Sequence, residues 1–145
     1  MSWSALPPEL ARADLLGLVY LGTLRPDGRP RLGPAEAHVC EGELMIGVMP
    51  RSLRARDLAR DPRCTLQSAV AGPDTGDSEL KLYCRAVASA GGPPGAWWTG
   101  RADAAVYALE VEEAALVEWN LERGLMTVTS WSPARGVRAT TRSYP

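Results

Sequence analysis

Short extended runs, each ended by a turn signal, are the feature of this sequence that most limits its possible folds. In 44–49 the apolar residues Leu44, Ile46 and Val48 occupy alternate positions, and the same period of two recurs through 79–88. This alternation is typical of a β-strand with one buried face. Only one clear helix, at 52–61, interrupts the runs in mid-chain. The pattern predicts a mainly β protein, and it favours a closed barrel over a sandwich.

The remaining signals give the order of elements within a single predicted domain that spans 1–145. Pro7 and Pro8 predict a short N-terminal helix, because proline fits the first turn of a helix, where its missing N–H costs nothing. The turn RPDGRP joins two extended runs into a hairpin. The run 105–120 is predicted to bend at Glu112 and Glu113 into two strands.

Composition excludes several classes of function. The 145 residues are 46% hydrophobic and 23% charged, as expected for one globular domain with a real core. A formal net charge of −1 argues against a protein that coats nucleic acid. The N-terminus has no signal-peptide pattern and no run reaches membrane-spanning length, so we expect a cytoplasmic protein with no membrane partner.

The residues that most often carry metal or nucleophilic chemistry are few and dispersed. Cys40, Cys64 and Cys84 are widely spaced in apolar runs, so we expect buried, reduced thiols. His38 is the only histidine, and no metal-ligand spacing or nucleophile elbow accompanies it. The sequence therefore predicts neither a metal site nor a catalytic side chain.

Five arginines crowd the segment 51–63, and three interpretations are open: a solvated face, a nucleic-acid patch, or a clamp on an anion. Ser52 stands at the N-cap of the predicted helix, and Pro62 ends it. At 100° per residue, the side chains at 56, 60 and 63 fall within a sector of about 60°, which predicts a solvated stripe. Arg54 projects roughly 160° away from Arg56, on the side of Leu58.

An arginine that points toward the body of the protein from the first turn of a helix calls for an anion. The helix N-terminus offers unpaired N–H groups and the positive end of the helix dipole. The Ser52 hydroxyl and Arg51 would add to these donors, so the set predicts a compact phosphate site. The alternative is that Arg54 pairs with Asp57 or with another carboxylate, and helix geometry alone leaves both open.

Several motifs occur here in a recognisable order. Asp27, Gly28 and Pro30 form a D-G-x-P turn between two strands. A helix motif, G-S-x-K-x-x-N-L-x-x-D-P, is matched at Ser52, Leu58, Asp61 and Pro62, with Arg54 at the lysine and Asp57 at the asparagine. On these motifs the stretch 18–88 resembles the pyridoxamine 5′-phosphate oxidase-like family of flavin-binding split barrels. The likeness continues more weakly through 105–117 and the closing run 129–144.

The resemblance implies a six-stranded split β-barrel of Greek-key topology, with one inserted helix, that forms a homodimer holding FMN between its subunits. Ser52 and Arg54 would bind the phosphate with help from Arg51, while Val48 and Met49 would lie near the ribityl chain. The other cofactor contacts that it implies are Arg31, Pro34, Ala35 and Glu36 on the second strand, Gln67 after the helix, and Trp131, which would cover the ring from the partner chain.

The implied activity is hydride or electron transfer to a small molecule by a bound flavin. Pyridoxal phosphate synthesis is not expected, because only Arg31 remains of the R-x-x-L-L-K run and the Arg-x-His motif is absent. Coenzyme F-420 in place of FMN, a non-catalytic flavin- or tetrapyrrole-binding role, and a cofactor-free dimeric module stay open, as do the substrate and the electron donor. The expected dimer face comprises Leu116, Val117, Trp119 and Trp131.

Overall fold

The computed structural model describes residues 2–89 and 104–145. Within these ranges the strands are β1 (Gly17–Leu24), β2 (Pro30–Cys40), β3 (Glu43–Val48), β4 (Arg63–Ser68), β5 (Glu79–Ala88), β6 (Ala105–Asn120), β7 (Leu125–Ser132) and β8 (Gly136–Ser143). A single α-helix in the same ranges, α1 (Leu53–Arg60), connects β3 to β4.

Six of the strands form the closed antiparallel barrel that the sequence predicts. They hydrogen-bond in the order β3, β2, β1, β4, β5, β6, and β3 also pairs with β6. The first part of β6 closes the ring against β3, where Leu44 pairs with Leu109. The second part extends beyond the ring and pairs with β7, which in turn carries β8.

Strand β6 is continuous, so the prediction of two strands in 105–120 is wrong. A β-bulge takes the place of the expected break: Tyr83 pairs with Glu113, but the next residue, Cys84, pairs with Val111. Glu112 is therefore the extra residue. A bulge bends a strand and increases its twist without ending the ladder, which lets one strand serve both the barrel and its extension.

The barrel interior is filled by the alternate apolar residues of its strands. Leu21, Leu44, Ile46, Leu66 and Leu82 are among the side chains that are fully buried. Burying a side chain of this size contributes about 1.5–3 kcal/mol. Because the alternation has a period of two, the intervening residues point to the outer face, which carries part of the candidate site.

The predicted N-terminal helix is not confirmed. The segment forms 3-10 turns at Trp3–Ala5 and Ala13–Leu15, with one further turn in which the amides of Leu10 and Ala11 both donate to the Pro7 carbonyl. An isolated short helix nucleates poorly, and Leu10 is fully buried. Packing of this segment against the core therefore decides its conformation.

The hydrophobic residues late in the chain are placed differently from the expected dimer face. Leu116, Val117 and Trp131 are buried within the chain, and the Trp119 ring packs edge-on against Tyr144 with centroids 6.4 Å apart. The apolar surfaces of Leu116, Val117 and Trp131 are therefore covered by their own chain, whereas the indole Nε1 of Trp119 is buried without a hydrogen-bond partner among the described residues. No helix in the described ranges is long and apolar enough to cross a membrane.

Candidate functional site

The N-terminus of α1 is capped as predicted. Ser52 has extended backbone angles, and its hydroxyl oxygen accepts a 3.1 Å hydrogen bond from the amide of Ala55. The Ser52 carbonyl accepts from the amide of Arg56 at 3.2 Å. The amides of Leu53 and Arg54 belong to the donors that an α-helix leaves without an intrahelical partner. The helix thus presents N–H groups and a hydroxyl at one point.

Arg54 lies against the backbone of β2. One terminal nitrogen, Nη1, donates to the carbonyl oxygen of Pro34. A Cβ atom built at Gly33 would lie 3.4 Å from both Cζ and Nη2 of Arg54. The glycine therefore lets the guanidinium lie flat on the strand. The predicted inward direction of Arg54 is confirmed, and its described partner is this carbonyl rather than Asp57.

Asp57 has its own set of partners one turn further along α1. Its side chain is 2% exposed, and it accepts hydrogen bonds from Arg31 Nε at 2.6 Å, Thr23 Oγ1 at 2.8 Å and Arg60 Nη2 at 3.3 Å. Burial acts to raise the pKa of this carboxyl, but the hydrogen bonds from Arg31, Thr23 and Arg60 outweigh it, so the pKa is lowered. The network ties β1, β2 and α1 together.

The three arginines of the predicted solvated stripe are not equivalent in the structure. Arg60 donates to the Leu24 carbonyl as well as to Asp57, which fixes the end of α1 to the end of β1. Arg56 is exposed, as the solvated stripe predicts. Arg63 is also exposed and pairs with Asp61 through a 2.7 Å contact from Nη2.

Two sequence-predicted residues, Pro34 and Gln67, lie on either side of Tyr20 on the outer face of the barrel. In the strand register, Pro34 of β2 and Gln67 of β4 both lie opposite Tyr20 of β1, and Gln67 lies opposite Lys81 of β5. We call these four residues the Tyr20 row. Tyr20 is 47% exposed, so the row presents an aromatic ring between a proline and an amide, and the proline is the residue whose carbonyl accepts from Arg54.

The other predicted site residues are divided between the surface and the core. Glu36 lies opposite Leu18 on the outer face, and Met49 and Arg51 are exposed just before α1. Ala35 and Val48 are buried in the core, so their backbones rather than their side chains are available to a ligand. Trp131 is 7% exposed and packs in the core of its own chain, so it is not brought to this site.

Sequence reasoning missed Tyr20 and Gly33. Tyr20 occupies an ordinary alternate position in its strand, and only the register shows that it separates Pro34 from Gln67. Gly33 did carry a signal, because a glycine inside a strand often marks the close approach of another group. Here that group is the side chain of Arg54.

The cysteines lie as free thiols, with Cys64 and Cys84 buried and Cys40 only half-buried. Burial raises the pKa of Cys64 to about 12, and a further contribution comes from the charge of Glu112. Both features keep this thiol protonated near neutral pH. Within residues 2–89 and 104–145, no three or more His, Cys, Asp or Glu side chains come together to hold a metal ion.

No family model and no curated protein matches the sequence. Solved structures do match its fold. A pyridoxamine 5′-phosphate oxidase-related, FMN-binding protein from Nostoc punctiforme aligns with a TM-score of 0.61 and 13% identity, over 98% of this chain and 99% of that one. An F420 reductase aligns with a TM-score of 0.57 and 16% identity, over 75% of this chain and 98% of that one.

A heme binding protein from Mycobacterium smegmatis also aligns, with a TM-score of 0.55 and 15% identity, over 91% of this chain and 85% of that one. The predicted resemblance is thus confirmed at the level of the fold. This chain has the barrel fold found in pyridoxamine 5′-phosphate oxidase-like proteins.

Proposed function

We propose that this chain is a split-barrel protein that binds FMN and acts with it as an oxidoreductase on a small molecule; the likeness of its fold to the FMN-binding protein from Nostoc punctiforme supports the choice of cofactor. The observation that carries the proposal is the placement of Arg54. Arg54 belongs to the first turn of α1, just after the Ser52 cap, and its guanidinium lies on the backbone of β2 at Gly33 and Pro34. We expect this cation, the Ser52 hydroxyl and the first amides of α1 to bind one phosphate group together.

The residues at this point fit a phosphate group. One N–H of Arg54 is used by the Pro34 carbonyl, and the guanidinium has four other donors available for anion oxygens. Helix N-termini bind phosphate through their unpaired amides and the helix dipole. Arg51 is exposed next to Ser52 and adds a second cation. A phosphate monoester such as that of FMN would be held by this set.

The Tyr20 row fits the other end of such a cofactor. Gln67 provides an amide donor and acceptor, and Tyr20 provides an exposed ring that a planar group can pack against. Pro34 connects the two ends, because its carbonyl holds Arg54 and its ring belongs to the row. When bound, the flavin would supply the hydride transfer, while these residues bind and orient it.

The proposal includes a homodimer with the cofactor between its subunits. The surface that supports a dimer is the outer face of β1, β2 and β5, where Leu18 is 66% exposed and Leu32 is 72% exposed, with Tyr20 and Tyr83 beside them. Exposed apolar patches of this kind mark interaction sites. A stable interface of standard size would bury about 1,600 Å². Light scattering that gives a monomer at micromolar concentration would contradict this part.

Coenzyme F-420 is the second candidate cofactor, favoured by the F420 reductase with the same fold. It also carries a phosphate on its side chain, so Arg54 and Ser52 would serve both cofactors. A non-catalytic role in holding a flavin or a tetrapyrrole is the alternative that the Mycobacterium smegmatis heme binding protein supports. We expect the protein to act in the cytoplasm, where its thiols stay reduced.

The test is a ligand analysis of the purified protein. Mass spectrometry of the molecule released on denaturation should identify FMN, and titration should show that FMN binds more tightly than F-420 or haem. Consumption of NAD(P)H or of reduced F-420 by the loaded protein then separates an enzyme from a storage protein. A protein that takes up none of the three ligands would overturn the proposal.

A further inference from the structure

The strand register brings together two cysteines that are far apart in the sequence. Cys64 of β4 and Cys84 of β5 are directly opposite each other in an antiparallel ladder. Their side chains therefore lie on the same face of the sheet. This is the inner face, because Cys64 is 7% exposed and Cys84 is 1% exposed. We call these two residues the Cys64–Cys84 pair.

The position of the pair in the ladder sets the separation of its backbones. The amide of Ala86 donates a 2.8 Å hydrogen bond to the carbonyl of Pro62. Hydrogen-bonded and non-hydrogen-bonded pairs alternate along an antiparallel ladder, so the next hydrogen-bonded pair is Cys64 with Cys84. The Cα atoms of such a pair are about 5.5 Å apart. This separation lies within the range of about 4.4–6.8 Å that disulfides span.

A β-bulge beside Cys84 gives the ladder room to adjust. The Cβ atoms of directly opposite residues are about 4.5–5.5 Å apart, whereas those of a disulfide are about 3.5–4.5 Å apart. Closing the pair therefore needs a small approach of the two strands. On its other side Cys84 pairs with Val111, next to the extra residue Glu112, and a bulge increases the local twist. A disulfide formed here would keep some strain, which is a property of labile disulfides.

The pair is not sealed from solvent. Both cysteines line a cavity of about 490 Å³. Leu32 and Tyr83 line the same cavity and belong to the surface proposed for the dimer, so an oxidant that reaches the pair has to be small. A site for one water molecule needs only about 10–15 Å³. Hydrogen peroxide is close enough to water in size to enter.

We propose that the Cys64–Cys84 pair is a redox-sensitive dithiol that closes to a cross-strand disulfide when the folded protein meets a peroxide. In a reducing compartment the pair stays as two thiols that pack in the core, as the sequence predicts. Under sustained oxidation the disulfide ties β4 to β5, the strands that carry Gln67 and Lys81 of the Tyr20 row. The inference does not depend on the proposed function.

The step balances with hydrogen peroxide as the oxidant. The thiolate of Cys64, the more exposed of the two, attacks one peroxide oxygen, the O–O bond breaks, and the other oxygen leaves as water with the thiol proton. The sulfur of Cys84 then attacks the sulfenic acid, an S–S bond forms, the S–O bond breaks, and a second water leaves. Two thiols and one peroxide thus give one disulfide and two waters. Burial raises the pKa of both thiols, so the reaction is slow near neutral pH.

The experiment locates the disulfide after oxidation of the full chain. Trypsin places each cysteine on its own peptide: Cys40 in 32–51, Cys64 in 64–81 and Cys84 in 82–85. The folded protein is treated with hydrogen peroxide at about pH 9, where more of each thiol is ionised, and is then alkylated in denaturant and digested. Wild type should lose two of its three thiols and the mass of two hydrogen atoms. The cross-linked product should join 64–81 to 82–85.

Three variants and one control condition test whether the register directs the reaction. Cys40→Ser should form the same cross-link as wild type, because Cys40 is not part of the pair. Cys64→Ser and Cys84→Ser should form none, and Cys64→Ala and Cys84→Ala replace them if a buried hydroxyl prevents folding. Oxidation in urea should give a mixture of all possible pairings, since the unfolded chain has no register.

Two results would overturn the proposal. One is folded wild type that keeps both Cys64 and Cys84 as thiols, or that joins either of them to Cys40 instead. The other is Cys64 oxidised to the sulfinic acid while the Cys84 thiol stays intact, which would mean that the two sulfurs do not meet. In either case the pair would be two small core residues and nothing more.

Discussion

Arg31 Nε donates a 2.6 Å hydrogen bond to Oδ2 of the buried Asp57 carboxylate, and this bond joins β2 to α1. The same two elements meet again at Arg54 and Pro34. Asp57 lies three residues after Arg54, close to one turn of helix. The Arg31–Asp57 pair therefore fixes the helix at the point from which the proposed phosphate ligand extends.

Loss of the Asp57 charge is expected to destabilise the fold. Asp57→Asn should lower the free energy of unfolding by about 3 kcal/mol, because removal of one partner leaves the Arg31 charge without its buried counterion. Urea denaturation at pH 7 measures this. Asp14→Asn is the matched control, since Asp14 forms an exposed pair with Arg12, and it should cost less than about 1 kcal/mol. Equal losses in the two variants would contradict the assigned role.

The free energy of unfolding should fall at acid pH. The pKa of Asp57 is lowered in the folded protein. As the pH decreases, Asp57 is therefore protonated in the unfolded chain before it is protonated in the folded one. Asp61 acts in the same direction, since Arg63 lowers its pKa from 3.8 to about 2. Each carboxylate stabilises the fold fully at a pH above its pKa in the unfolded chain. This stabilisation is lost as the pH falls through the lower pKa of the folded state. Urea midpoints measured between pH 6 and pH 3 should decline in wild type and decline less in Asp57→Asn.

Removal of the helix cap should have a smaller effect. Ser52→Ala loses the bond to the Ala55 amide, which should cost about 1 kcal/mol of stability. If Ser52 also contacts phosphate, FMN affinity should fall by roughly fivefold as well. Thermal melts and FMN titration measure the two effects. Ser143→Ala, which changes an exposed serine on β8, is the control and should change neither the stability nor the FMN affinity. If Ser52→Ala has the same stability and FMN affinity as Ser143→Ala, the assignment of Ser52 as the helix cap is wrong.

A side chain at Gly33 should act on the cofactor through Arg54. Gly33→Val would place its added atoms against the guanidinium, so we expect FMN affinity to drop by at least about tenfold. Stability should change little, because valine suits a strand. Gly22→Ala, where the added methyl group meets only ordinary contacts, is the control and should keep FMN affinity. A Gly33→Val variant that binds FMN with the same dissociation constant as wild type would contradict the placement of the phosphate site at Arg54.

Local signals in the sequence account for the parts of the fold that were predicted correctly. The alternation at Leu44, Ile46 and Val48 predicts a strand that the structure confirms, and Ser52 caps α1 as its position indicates. The direction of Arg54 follows from helix periodicity. Each of these predictions depends on residues that are close together in the sequence, where the spacing along a helix or strand determines the direction of each side chain.

Features that depend on distant partners could not be read in this way. Arg31 and Asp57 are 26 residues apart, and nothing local identifies them as a pair. Tyr20 joins the candidate site only through the register of β1 with β2 and β4. Pro7 and Pro8 gave a misleading local signal, because burial of Leu10 rather than helix propensity sets that segment. Trp131 packs in the core of its own chain, and its contact with the cofactor of a partner subunit stays a prediction.

The measurement that tests the central claim most directly is FMN titration of three cofactor-free proteins: wild type, Arg54→Ala and Arg56→Ala. Arg56 is the better control, because Arg60 is tied to Leu24 and Asp57. Arg54→Ala should weaken FMN binding by about tenfold to a few hundredfold, the scale of a charge-assisted hydrogen bond to an anion left unpaired. Arg56→Ala should bind as wild type does. Equal losses in both variants, or no loss in Arg54→Ala, would contradict the assignment of Arg54 as the phosphate ligand.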